Sequence, residues 1–95
     1  MVSYTQDWAR LLYVGDVQFL LTKRSLPFDS NDVPEEFKKV GKVVFFFEIE
    51  FHLNDDEHYY HYWCQDREER DLNFSEITEE ELKVLLHVEL GYDIS

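Results

Sequence analysis

The stretch Val43–Leu53 constrains this chain more than any other. Val43, Phe45, Phe47, Ile49, Phe51 and Leu53 form an unbroken apolar series at period two, with Glu48, Glu50 and His52 between them. Successive side chains of a strand point to opposite faces, so one face belongs to a core and the other meets water. Such a strand needs neighbours. Asn54-Asp55-Asp56-Glu57 is a polar turn, and His58-Tyr59-Tyr60-His61-Tyr62-Trp63-Cys64 is rich in strand-forming aromatics, so strands near 43–53 and 58–64 should pair as an antiparallel hairpin. A two- or four-residue loop sets Phe51 opposite Tyr60 and Ile49 opposite Tyr62, leaving Tyr59, His61 and Trp63 on the glutamate face. A three-residue loop inverts the faces. The first register is preferred.

The flanking segments supply the second layer. Tyr4, Trp8, Leu11 and Leu12 recur at helical spacing, Ser3 or Thr5 can cap the start, and Gly15 can end the segment, so a helix is expected near 4–14. Val17, Phe19 and Leu21 alternate with polar neighbours and predict a strand near 17–22, followed by a basic Lys23-Arg24 and a turn-like stretch over 27–32. Pro34, with Glu35 and Glu36 early and Lys38 and Lys39 late, predicts a short helix over 33–40. Asp66–Asp71 reads as a charged connection without apolar periodicity. Thr78 and Glu81 form a capping box, Ile77 can staple to Leu82, and Leu82, Leu85, Leu86 and Glu89 share a face ahead of Gly91, which predicts a helix near 78–90. The expected fold is α+β: a small two-layer sandwich, one antiparallel sheet covered on one face by helices.

The 95 residues, 17% of them aromatic, fit a single domain spanning 1–95 and argue against disorder. Cys64 is the sole cysteine, so no intrachain disulfide can form and a cytoplasmic setting is expected. No apolar run has the length of a membrane span, and the first residues lack the pattern of a signal peptide.

Charge is divided between the halves. Residues 1–47 carry six acids and six bases, whereas 48–95 carry fifteen acids against Arg67, Arg70 and Lys83, so the whole net charge of −12 lies in the second half. Solubility needs a magnitude of only about 2–8. Such a charge opposes the approach of phosphates and excludes direct nucleic-acid binding, while favouring a basic protein partner.

Metal and catalytic chemistry find little support. His58, His61 and Cys64 look like ligands, but on a strand His58 and Cys64 point to one face and His61 to the other, so they cannot converge on one ion. None of the serines has a nucleophile-elbow context, and no glycine-rich loop cradles a phosphate. No metal, no cofactor and no enzymatic activity are expected.

Some acids have ordinary structural reasons. Glu79, Glu80 and Glu81 open a helix, where each gains about 0.3–1 kcal/mol from the macrodipole, and Asp55 and Asp56 are usual turn residues. Taken together, Glu48, Glu50, Asp55, Asp56, Glu57, Asp66, Glu68, Glu69, Asp71, Glu79 and Glu80 would form successive ridges of carboxylate. Same-face strand residues stand about 6.6–7 Å apart and helical neighbours about 5–6 Å, comparable with neighbouring phosphates. In composition and size the chain resembles two groups of small inhibitors: phage-encoded DNA-mimic proteins that block restriction or other defence nucleases, and immunity proteins that neutralise nuclease toxins. The resemblance rests on no residue motif and carries no residue roles. The expected function is an acidic inhibitor of a basic nucleic-acid-handling protein, by DNA mimicry. The alternatives are an immunity protein of a nuclease toxin, or an interaction module without mimicry in which Tyr59 and Trp63 with Phe46 anchor the interface and the acids only steer association. An exposed sheet edge also offers pairing between two copies of the chain.

Overall fold

The computed structural model describes residues 8–91. Four strands, β1 (Ala9–Val14), β2 (Val17–Pro27), β3 (Val43–Leu53) and β4 (Asp56–Cys64), form an antiparallel meander in the order β1-β2-β3-β4. Two helices follow, α1 (Arg67–Glu76) and α2 (Glu79–Leu90). Leu12, Val14, Val17, Phe19, Leu21, Phe47, Ile49 and Phe51, all from one face of the sheet, pack with Phe74, Ile77, Leu82 and Leu86 from the helical layer. This is the expected two-layer α+β sandwich, and period two in β3 is its organising signal.

The first expected helix is instead a strand. Residues 9–14 pair with β2 from Ala9 opposite Thr22 to Val14 opposite Val17, while Tyr4 and the capping candidates Ser3 and Thr5 lie outside the described residues. Leu12 faces the core and Leu11 the other side of the sheet, so the apolar pair mimics helical spacing. Gly15 closes this hairpin with a φ of 60°, the conformation that a two-residue turn with glycine first requires. β2 runs on past residue 22 to Pro27 because β3 pairs with it along its length, Phe19 opposite Phe51 and Pro27 opposite Val43.

The β3–β4 turn is the shorter of the two even lengths expected. Asn54 and Asp55, with φ of 53° and 68°, form the whole connection, as a turn with two left-handed residues should. Asp56 and Glu57 therefore open β4, and this two-residue loop sets Phe51 opposite His58 and Ile49 opposite Tyr60, two residues from the expected pairs, which a four-residue loop alone would give. An even shift preserves the faces, so Tyr59, His61 and Trp63 lie beside Glu48 and Glu50 as predicted.

The segment expected to be a helix over 33–40 contains one 3-10 turn, Glu35–Phe37, and its backbone is extended at Pro34 and Lys38. Side-chain packing holds it: Val33 is buried, and the Phe37 ring lies 6.4 Å from Trp63, which is 4.5 Å from buried Phe46. This connection thus covers one end of the sheet face that the helices leave open.

The charged stretch after Cys64 becomes α1. Asp66 caps it, accepting the Glu69 N–H at 2.8 Å, while Glu69 accepts the Gln65 N–H at 2.6 Å. Phe74 is its one buried residue, set edge-on against Phe47 at 5.7 Å. The rest is seated by charge: Arg67 and Arg70 stand 5.2 and 5.0 Å from the Phe45 ring, and Lys23 reaches both Phe74 and Asp71. Arg10 of β1 donates to the carbonyls of Phe74 and Ile77 at 2.6 and 3.0 Å, closing the negative end of the helix dipole. α2 begins as predicted, with Thr78 accepting the Glu81 N–H at 3.3 Å and Ile77, Leu82 and Leu86 in the core. Among the described residues no helix is long and apolar enough to cross a membrane.

Candidate partner-binding surface

Meander topology reorders the charge. Val17 follows the first turn and Leu53 precedes the second, so Asp16 and the acids Asp55, Asp56 and Glu57 come to the same end of the sheet. Glu50 lies one step in from that end, on the face the helices leave open, between Leu20 on β2 and Tyr59 on β4. None of these five carboxylates forms an ion pair among the described residues. Asp16, Gln18, Leu20, Glu50 and His52 line a shallow depression there. Sequence patterning missed Asp16, Gln18 and Leu20 as part of this surface; Gly15-Asp16 between two apolar runs is the hairpin signal that would have found them.

Cations collect at the opposite end. Of nine Lys and Arg residues, Lys23, Arg24, Lys38, Lys39, Lys42, Arg67 and Arg70 lie on or around the far half of the sheet. They form ion pairs with two of the expected site residues, Glu48 and Asp71. Glu48 lies 3.1 Å from Arg24 and 3.2 Å from His61, with only 14% of its side chain exposed. Asp71 pairs with Lys23 and Arg70; burial works against its ionisation, but the hydrogen bonds from Arg70 and Lys23 outweigh that and hold its carboxyl below the usual range. Asp66 and Glu69 are occupied in capping α1.

The eleven expected acids fall into three groups. Glu48 and Glu50 share the open face, Asp55, Asp56 and Glu57 form the tip, and Asp66, Glu68, Glu69, Asp71, Glu79 and Glu80 belong to the helical layer behind the sheet. Glu68, Glu79 and Glu80 are exposed.

The rings are also distributed differently from expectation. Phe46 is 3% exposed and cannot anchor a partner, and Trp63 is half-covered between Phe37 and Phe46. Tyr59 is 50% exposed, and its hydroxyl donates to Glu57 at 2.8 Å. That hydrogen bond, with the nearby Glu57, Glu50 and Glu48 charges, pushes the phenol up to about 12. Cys64 is buried, and burial pushes its thiol up while a hydrogen bond with Asn73 acts in the opposite direction. His61 lies on the open face against Glu48, across the sheet from Cys64, and no group of three or more potential metal ligands converges among the described residues. No protein-family model, curated protein or solved structure matches this chain.

Proposed function

We propose that this protein binds and blocks a basic, nucleic-acid-handling protein, a nuclease or restriction enzyme for example, through the carboxylates at the hairpin-tip end of its sheet. It acts by occupying that partner, with no catalysis of its own. The observation that carries this reading is the separation of charge along the sheet: Asp16, Glu50, Asp55, Asp56 and Glu57 have no cationic partner among the described residues, while seven of nine basic side chains lie toward the other end. A one-signed end of this kind focuses field and attracts an opposite surface, as a run of phosphates does. Tyr59, exposed between Glu50 and Glu57, supports the second reading, in which a ring anchors the contact and the acids steer it. A cytoplasmic setting accords with the single, buried thiol of Cys64.

The test uses a partner captured from the host on the immobilised protein and then purified. Association should slow steeply from low to physiological ionic strength, because the Debye length shrinks to about 8 Å. Duplex DNA should compete for the partner if the two share its phosphate-binding surface. Association that is flat across this salt range contradicts the reading.

A further inference from the structure

β4 ends the sheet, and its outer edge has no strand beside it among the described residues. The tight Asn54-Asp55 turn makes Leu53 and Asp56 the hydrogen-bonded pair that closes the hairpin. Alternation then gives the inward bonds to His58, Tyr60, Tyr62 and Cys64, and turns the N–H and C=O of Glu57, Tyr59, His61 and Trp63 outward. These four residues supply eight backbone groups with no partner in the sheet. Edge strands are usually blunted by lysine, proline, a bulge or short length. β4 has none of these: it is nine residues long, contains no Lys, Pro or Gly, and pairs with β3 without interruption from Asp56 to Cys64. β1, the other edge, is six residues long.

We infer that the outer edge of β4 is a docking site for an extended basic segment of a protein partner, which adds to the sheet as a fifth strand. The chemistry on the two sides of the edge fixes the pattern of that segment. On the open face it meets Glu57 and the half-exposed Tyr59 ring, with Glu50 one strand further in, so Lys or Arg side chains there gain carboxylate and cation–π contacts. On the helical side it meets Tyr60 and Tyr62, the latter 43% exposed, which favour apolar side chains. The occupant is thus a strand in which a base alternates with an apolar residue, held by main-chain bonds and specified by side chains. A second copy of this chain fits less well, since each copy carries −12 and the pairing would bring Asp56, Glu57 and Glu50 toward like charge. This inference rests on the proposed capture of a basic partner, and its test separates the two.

The probe is a nine-residue peptide alternating lysine with valine, together with a version N-methylated on the residues that bond to the edge. In the full chain, the unmodified peptide should slow hydrogen exchange at the amides of Glu57, Tyr59, His61 and Trp63. The N-methylated peptide should bind about tenfold more weakly or worse, since it loses several hydrogen bonds. His61→Pro removes one outward N–H without touching the β3 ladder, and should weaken binding where His61→Ala does not. The N-methyl comparison holds even if the proline variant fails to fold. Equal binding of both peptides overturns edge docking and leaves electrostatic capture standing. No binding of the lysine peptide overturns both. Protection of the same edge amides by self-association of the protein alone, strengthening with salt, would assign the edge to a second copy and overturn the proposal.

Discussion

Glu48 and Glu50 lie two residues apart on one strand face, yet their neighbours give them different roles. Glu48 is held between Arg24 and His61, whereas Glu50 has no ion partner among the described residues. Glu48→Ala should therefore destabilise the fold, by up to about 1 kcal/mol given that the Arg24 end is half in solvent. Glu50→Ala should stay within about 0.5 kcal/mol of the wild type, and thermal unfolding of the two variants checks the difference. Tyr59 provides a pH-dependent signal at the same surface. Its phenol titrates near 10.0 in the absence of neighbours and about 12 in the fold, so the folded state holds the proton more tightly. The contribution is whole below the unfolded value and is lost as pH rises through the folded one. Ultraviolet titration of tyrosinate should show one phenol ionising about 12, returning toward 10.0 in Glu57→Gln.

At the level of elements, α1 depends on its cap more than on its core contacts, because Phe74 is its only buried residue. Asp66→Ala removes the acceptor for the Glu69 N–H and should cost about 0.5–2 kcal/mol, read as loss of helical circular dichroism and a lower midpoint in urea. The sequence made β3 legible because one side of it is apolar throughout and the other is not. α2 was legible because Thr78 caps it and Leu82 and Leu86 face the core one turn apart. β1 was not, since Leu11 and Leu12 are apolar on opposite faces of the sheet and imitate a helical stripe. α1 was missed for a related reason: cation–π contacts from Arg67 and Arg70 and ion pairs through Asp71 replace the apolar periodicity that marks a packed helix. The candidate surface was half legible. The charge was plain in the composition, but which carboxylates are free and which are neutralised depends on pairings between Arg24 and Glu48, or Lys23 and Asp71, that only the strand register creates.

Over the whole molecule, the sequence-level split between a neutral first half and an acidic second half becomes a split between the two ends of a sheet. The meander interleaves the halves: β2 brings Lys23 and Arg24 beside β3, and the two hairpin tips gather Asp16 with Asp55, Asp56 and Glu57. Attraction to a basic partner should then be local to that end and should not follow total charge. The most direct test compares two variants of similar charge loss, both exposed. One carries Asp16→Asn, Asp55→Asn, Asp56→Asn and Glu57→Gln; the other carries Glu68→Gln, Glu79→Gln, Glu80→Gln and Glu81→Gln in the helical layer. Association rate with the purified host partner at low salt is the measurement. The tip variant should slow by about tenfold or more, as loss of steering does, and the helical variant should remain near the wild type. Equal slowing of the two, or slowing confined to the helical variant, would contradict the account.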